Sequence, residues 1–387
     1  MNMRLLIPVV LLALTGCAGQ GRVMSGIDVL ARDDFAVLDG QRVGLITNHT
    51  GVARDSRSDI ELIHAAANVD LVRIFSPEHG IAGKLDIPAI DDDTDGTTGI
   101  EIVSLYGDVR RPTAAMLAGL DVLVFDIQDI GTRYYTYIST MGNAMLAAAE
   151  HGKRFVVLDR PNPINGIKVA GPVLDDGLQS FVGFHTLPIR HGMTVGEIAL
   201  LLRAELDLEL ELDVVRVEGW QRSMYFDETG LTWINPSPNM RSLRAALLYP
   251  GIGLLETTNI SVGRGTATPF ELFGAPWMDG PALAKTLNAL GLPGIRFAAI
   301  EFTPDASTFA DEPCQGVRMT ITDRDALDAV ITGLEIARVL VRDYPDDWDT
   351  TRYLRLLGNS ATLDALLGGG DAADINNAYR GGLDGFR

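Results

Sequence analysis

The sequence predicts an α/β protein built on an open, mostly parallel sheet, joined to a second domain of mixed α and β structure. Three observations carry this reading. From residue 42 onward, short apolar runs alternate with helical stretches, the order expected of β-α-β crossovers. The run DVLVFDI (121–127) is nearly continuous in apolar residues, as a strand covered on both faces has to be. After residue 160 the alternation loosens, and RPNPINGIKVAGP (160–172), with its three prolines, marks a boundary.

The elements follow in order. RVGLIT (42–47) reads as a strand, 56–67 as a helix, and DLVRIF (70–75) as the next strand. EIVSLY (101–106) is a strand and 112–118 a helical stretch. DVLVFDI leads to a long helix, YISTMGNAMLAAAEHG (137–152), that stops at a glycine. RFVVLD (154–159) is the last strand of the set. The first domain is thus expected over 41–165 and the auxiliary domain over 166–387. In the latter, TVGEIALLLRAEL (194–206) is a helix with Thr194 as a cap, ELDVVRV (211–217) a strand and DRDALDAVITGLEIARVLVRDY (323–344) a strong helix.

The 387 residues are 47% hydrophobic and 21% charged with 41 glycines, which fits a globular chain rather than disorder or a coiled coil. The first residues are expected to lie outside the fold. Arg4 is followed by an apolar run, Leu5 to Leu14, too short to span a bilayer. The run ends in Leu-Thr-Gly-Cys (14–17), similar to a bacterial lipoprotein signal, in which Cys17 is lipidated and becomes the N-terminus. Ala18 in place of Asp gives no inner-membrane retention signal. Residues 1–16 then form a signal peptide and 17–40 a tether, and the expected destination is the outer membrane, facing the periplasm. Loss of Arg4 takes the formal charge from −19 to −20, which argues against nucleic acid and other polyanions as partners. With Cys17 lipidated, Cys314 has no intramolecular partner, so stability has to come from the core.

No dinucleotide fingerprint, Walker loop, His-Glu-x-x-His, Gly-x-Ser-x-Gly or Cys-x-x-Cys occurs. DDDTDG (91–96) opens like a calcium loop, but the closing glutamate position is Ile102.

Ligands of open α/β sheets bind at the carboxyl ends of the strands, and here those ends are polar. They carry Asn48 and His49; Glu78 and His79; Asp126 and Asp129 with Arg133 and Tyr135 close behind; and Asp159, Arg160 and Asn162. An acid after a strand is most often a helix cap or turn residue, and Asp129 fits that role. Asp126, inside an apolar strand, calls for a partner such as Arg133 or Arg160. Glu78 differs: Pro77 and Gly80 set it on a sharp turn, where it neither caps a helix cleanly nor faces a core. His79 and His191 have no metal-ligand spacing and read as hydrogen-bonding residues. The second half adds Asn239 in WINPSPNM, and Glu256, Asn259 and Arg264 in LLETTNISVGRGT. PFELFGAPW adds Glu271 and Trp277. An arginine between two glycines is well placed to hold a carboxylate bidentately.

With these residues in place, the chain resembles the exo-β-N-acetylmuramidase family, glycoside hydrolase family 171. The matching runs, in order, are GLITNHTGV, FSPEHGIAG, SLYG, VLVFDIQDIGTRYYTYISTM, FVVLDRPNPINGIKVAGP, FVGFHTLPIRHGMTVGEIA, WINPSPNM, LYPGIGLLETTNISVGRGT, PFELFGAPW and CQGVRMTITDR, from about residue 44 to 325. The segment 345–387 is less distinctive. The resemblance implies a Rossmann-like domain joined to an auxiliary domain, with the site in the interdomain cleft. It also implies release of N-acetylmuramic acid from non-reducing ends of peptidoglycan fragments, without metal or organic cofactor.

Glycoside hydrolysis needs one protonated carboxyl at the leaving oxygen and a second group at the anomeric centre. By motif, Glu78 is the leading acid. Asp126, Asp129, Asp159 and Glu256 compete for the second role, as does the substrate's own acetamido group. Arg133, Arg160 and Arg264 are candidates for the lactyl carboxylate of muramic acid. Asn48, His79, Tyr135, Asp159, Asn162, His191, Asn239, Asn259 and Glu271 complete the expected substrate-binding set. Two rival readings are a cell-wall-binding lipoprotein without turnover and a metal-dependent hydrolase using His79, His191 and the aspartates.

Overall fold

The computed structural model describes residues 22–387. The expected signal peptide, Cys17 and residues 18–21 lie outside the described residues. Nine strands precede residue 216: β1 (Arg42–Thr47), β2 (Asp70–Ser76), β3 (Asp93–Thr94), β4 (Glu101–Ser104), β5 (Val122–Asp126), β6 (Arg154–Leu158), β7 (Ala170–Val173), β8 (Pro188–Arg190) and β9 (Leu212–Val215). Seven of them form one sheet in the order β3-β4-β2-β1-β5-β6-β9, parallel throughout except where the two-residue β3 runs against β4. β7 and β8 pair separately as a short antiparallel ribbon.

Both faces of the large sheet are covered, which is why its central strands are apolar without alternation. Leu123 and Phe125 of β5 pack on the face held by α3 (Tyr137–Glu150) and α4 (Val195–Glu205). Val122 and Val124 pack with α1 (Gly26–Arg32) and α2 (Asp59–Ala65) on the other. Two of these helices start at reciprocal caps. The Ser58 hydroxyl accepts from Glu61 N, and the Thr194 hydroxyl from Glu197 N, while each glutamate reaches back to the cap's backbone.

Three expectations change here. Residues 22–40 are built into the fold rather than forming a tether: Val23, Ile27 and Leu30 are buried, and Gly26 N donates to Asp159 O. Gly26 sits so close to the sheet that a Cβ would lie 2.4 Å from Asp159 N, so the segment docks backbone to backbone, without a long apolar stripe to announce it. The stretch 112–118 is a series of turns, not a helix. β9 pairs in parallel with β6, Phe155 opposite Leu212, so the sheet is completed well beyond residue 165.

The second unit contains α5 (Leu243–Ile252), β10 (Leu272–Ala275), α6 (Gly280–Ala289), β11 (Ile295–Phe302), β12 (Cys314–Ile321) and α7 (Ala329–Asp343). Its sheet is antiparallel, in the order β10-β12-β11. α5 and α7 cross at Gly251 and Gly333, where a Cβ on Gly251 would lie 1.9 Å from Ala329 O. The chain ends in α8 (Leu354–Leu357), α9 (Ser360–Leu367) and α10 (Ala372–Phe386). Cys314 is buried and free, and burial pushes its thiol up to about 11.

One buried cation ties these parts together. Arg133 is 1% exposed. Its Nη1 donates to Pro172 O and Leu187 O, both at 2.9 Å, and its Nη2 donates to Leu356 O at 2.7 Å and Leu357 O at 2.9 Å. Burial draws its pKa down to about 10. Arg133 therefore does not reach a ligand, contrary to the expectation for it. Four carbonyls take its charge instead, and they join the end of the large sheet, the β7–β8 ribbon and the tail.

Asp159 is likewise structural. Its carboxylate accepts from Thr194 Oγ1 at 3.0 Å and Gly196 N at 2.8 Å, fixing the start of α4 to the end of β6. Burial outweighs these bonds and pushes Asp159 up to about 6.

Two outcomes are expected. Arg133→Met removes the shared donor of four carbonyls, of which Leu187 O keeps Leu174 N as a partner, and lowers stability by at least about 3 kcal/mol in urea denaturation; a loss below about 1 kcal/mol contradicts the clamp. For Asp159, an unfolded pKa of about 3.9 lies below the folded one. The native state thus holds the extra proton, and the resulting stability is present below about pH 4 and lost as pH rises through about 6, to the extent of about 3 kcal/mol. Urea denaturation from pH 4 to 7 should show a shallower decline for Asp159→Asn than for wild type. Parallel pH curves contradict it.

Candidate active site

The site begins at the end of β2. Gly80 N donates to Pro77 O, closing a tight turn over Pro77-Glu78-His79-Gly80. His79 sits at φ +70°, a left-handed backbone conformation in which a side chain other than glycine is uncommon. The loop compensates: His79 Nδ1 donates to Leu85 O at 2.7 Å, and Leu85 N donates to His79 O at 3.2 Å. The turn projects Glu78 toward the start of α3, where the Thr136 hydroxyl donates to its carboxylate. The Tyr106 hydroxyl, just past β4, lies near the same carboxylate, and burial together with that negative charge raises its pKa above a tyrosine's ordinary value.

The facing wall comes from the second unit. Glu256, in the short turn Gly253–Thr257 after α5, accepts from Tyr249 Oη at 2.9 Å and from Arg264 Nη1 at 3.0 Å. Burial raises its pKa, against the pull of Arg264 and Tyr249. Arg264 Nη2 donates across to Asp86, in the loop that follows the Glu78 turn, and Asp86 also accepts from Asn239 Nδ2 at 3.1 Å. Burial works against charge on Asp86, but Arg264 holds its carboxyl below the usual range. A continuous polar chain, Tyr249–Glu256–Arg264–Asp86–Asn239, thus links the two units along one side of the cleft.

Between the walls lies a space of about 280 Å³. Its floor is aromatic: Tyr135 stands edge-on to Tyr137, with centroids 5.1 Å apart and planes at 85°, and edge-on to Tyr249 at 6.1 Å. Ser237, Arg352 and Arg355 are also among the residues on its rim.

Of the residues singled out from the sequence, Glu78, His79, Tyr135, Asn239, Glu256 and Arg264 meet in this cleft. The others are engaged elsewhere. Asp126 and Arg160 form a buried ion pair, with Arg160 Nη2 2.8 Å from Asp126 Oδ2. Burial raises Asp126 although Arg160 opposes it. Asp129 accepts from Gly131 N at 2.6 Å and lies 3.4 Å from Nε2 of the buried His191. Asn48 accepts from Thr50 N at 2.9 Å, and Asn162 holds Met193 O and Ile164 N. Asn259 fastens Asp347 O and Asp349 N. Glu271 accepts from the Ser242 hydroxyl at 2.7 Å and pairs with Arg244. Some of these bonds lie within a turn and others join segments far apart in the chain, and a strand-end argument cannot separate either kind from ligand contacts.

Among the described residues, no three His, Cys, Asp or Glu side chains converge as a metal site. His79 and His191 do not share a site either. In the DDDTDG run, Asp92 accepts from Ser104 N, and Asp95 accepts from Thr97 N and Thr98 N.

Sequence reasoning missed Asp86, Thr136, Tyr249, Ser237, Arg352 and Arg355. Asp86 and Ser237 lie in loops rich in proline, and Tyr249 in an apolar helix, with no pattern to mark them. Arg352 and Arg355 did leave a signal: in RYLRLL, residues three apart share a helical face.

Comparison with known proteins agrees with this architecture. The family "Exo-beta-N-acetylmuramidase NamZ, N-terminal" matches residues 43–244, and its C-terminal counterpart matches 247–387. The division falls after β9, as in the structure. The chain is 43% identical over 373 residues to the peptidoglycan beta-N-acetylmuramidase NamZ of Bacillus subtilis (strain 168), covering 95% of this chain and 90% of that protein. Two crystal structures of DUF1343 family proteins from Bacteroides fragilis NCTC 9343 share the fold. One has a TM-score of 0.88 at 40% identity and covers 95% of this chain and 97% of that one. The other has a TM-score of 0.76 at 30% identity and covers 94% and 96%. With both halves matched and a relative at 43% identity over nearly its whole length, the chain belongs to the exo-β-N-acetylmuramidase NamZ family of glycoside hydrolases.

Proposed function

We propose that this protein is an exo-acting β-N-acetylmuramidase that removes N-acetylmuramic acid from the non-reducing ends of peptidoglycan fragments, with Glu78 as general acid. The observation that carries the reading is a pair of glutamates from different units, Glu78 and Glu256, lining one cleft whose other acid, Asp86, is held by an arginine. The Arg264–Asp86 bridge runs along one side of the cleft, which favours entry of a chain end over passage of a continuous strand.

In this reading Glu78 gives its proton to the glycosidic oxygen as the C1–O bond breaks, and the sugar develops oxocarbenium character. Thr136 holds the carboxyl in place, with Tyr106 beside it, so that little reorganisation is needed when the proton moves. Asp126, Asp129 and Asp159 are occupied away from the cleft, which leaves Glu256 as the second carboxyl. Fixed by Tyr249 and Arg264, it is suited to orient the substrate's acetamido group or to stabilise positive charge at C1. Tyr135 and Tyr137 supply apolar edges for the pyranose ring. We also propose that lipidated Cys17 anchors the enzyme to the outer membrane on its periplasmic side.

The test is release of chromophore from a β-muramic acid glycoside. Glu78→Gln is expected to lower kcat by at least about 100-fold, the effect of removing a general acid. Thr136→Val, which keeps the carboxyl but frees it, is expected to lose roughly 10-fold. Full activity in Glu78→Gln contradicts the assignment, and binding without turnover by the wild type contradicts the enzymatic reading. For the anchor, labelling with radioactive palmitate should mark the wild type and not Cys17→Ser.

A further inference from the structure

Nearly every arginine near the cleft is already committed. Arg133 serves four carbonyls, and Arg160 is paired with Asp126. Arg190 donates to Ile164 O and Asn165, and Arg264 bridges Glu256 and Asp86. Arg352 and Arg355 differ. Both line the cleft and both are exposed, and among the described residues neither guanidinium is engaged in an ion pair or hydrogen bond.

Their backbone, in contrast, is fixed. Tyr353 between them is fully buried, as is Leu357 after them. The carbonyls of Leu356 and Leu357 are held by Arg133, and Asn259 secures the approach at Asp347 and Asp349. The turn ends at Gly358, φ +66°, where a Cβ would strike the Arg133 guanidinium at 2.7 Å. Two exposed, unpaired cationic heads on a pinned backbone is the arrangement of a ligand grip rather than of a structural pair. The cleft also holds three acids, Glu78, Asp86 and Glu256, and its one other arginine, Arg264, is spent on two of them, in a chain of net charge −19. Free cations at its rim therefore select for an anionic group on one part of the ligand.

We propose that Arg352 and Arg355 bind a carboxylate carried on the 3-O substituent of the terminal sugar, and so make the enzyme choose muramic acid over glucosamine. This rests on the function proposed above. The two sugars differ by a lactyl ether, and a planar guanidinium pair matches its carboxylate. The same chemistry is offered by the carboxylates of a stem peptide attached at that position.

Calorimetric titration of the free sugars separates these cases. Wild type is expected to bind N-acetylmuramic acid at least about 10-fold more tightly than N-acetylglucosamine, and Arg352→Ala/Arg355→Ala to lose on the order of 10- to 100-fold for the former only. Both side chains are exposed, so the thermal transition should be unchanged. Arg355→Lys should recover part of the affinity, since charge survives without the bidentate fork. A loss seen with N-acetylmuramic acid assigns the grip to the lactyl group, and a loss seen only with muramyl dipeptide assigns it to the stem peptide. If the double variant binds both N-acetylmuramic acid and muramyl dipeptide like wild type, or if wild type binds neither more tightly than N-acetylglucosamine, the inference is overturned. Turnover is read separately on the muramic acid glycoside, where KM should rise with kcat little changed. Arginine-dependent binding without wild-type turnover sinks the proposed function and leaves the grip standing. Turnover with arginine-independent selectivity does the reverse.

Discussion

The arrangement of this molecule hangs on a cation placed where no carboxylate can neutralise it. A buried guanidinium is costly, and Arg133 is tolerated because four backbone carbonyls converge on it from separate segments. Of the four carbonyls, Leu187 O is also held by Leu174 N. Each side of the contact makes the other affordable. Tyr134, Tyr135 and Tyr137 follow directly in the chain, so the position of the clamp is also the position of the cleft floor. The tail that supplies two of the four carbonyls carries Arg352 and Arg355 on its outer side. One buried group thus sets the floor and one rim of the site together.

The acids of the strand ends divide by whether a cation or a donor reaches them inside the protein. Asp126 has Arg160, Asp159 has Thr194 and Gly196, and Asp129 has Gly131 with His191 beside it. Glu78 is held by the Thr136 hydroxyl, with Tyr106 nearby, a setting that orients it without supplying a positive charge. Glu256 does have an arginine, but shares it with Asp86 across the cleft, and burial keeps its pKa raised. Placing carboxyls with different partners around one cavity is how a protein gives chemically identical groups different tasks.

What was legible in the sequence follows the range of the forces involved. The parallel sheet could be read because a strand covered on both faces is apolar throughout, as β5 is. Glu78 could be read because Pro77 and Gly80 make its turn local. The length of the first domain could not, because β9 joins β6 only after the long excursion through α4. The role of α1 was hidden because Gly26 makes the contact with its backbone. The Asp126–Arg160 pair could be anticipated because a carboxylate inside an apolar strand calls for a cation, whereas nothing in the sequence around Arg133 reveals which distant carbonyls will meet it. Arg352 and Arg355 had the spacing of a shared face, but the meaning of that face depends on Arg133, more than two hundred residues away.

The aspartate run at 91–95 has a use that its sequence pattern concealed. It forms the outermost strand of the large sheet, only two residues long and set antiparallel to its neighbour. Asp92 occupies the backbone donor of Ser104, and Asp91 and Asp93 face solvent. A parallel sheet must otherwise stop somewhere with a row of unpaired amides, an invitation to another sheet. Here that border is short, charged and partly occupied by its own side chains. Copies crowded side by side would meet at this edge with like charges, which disfavours pairing of one sheet with the next there.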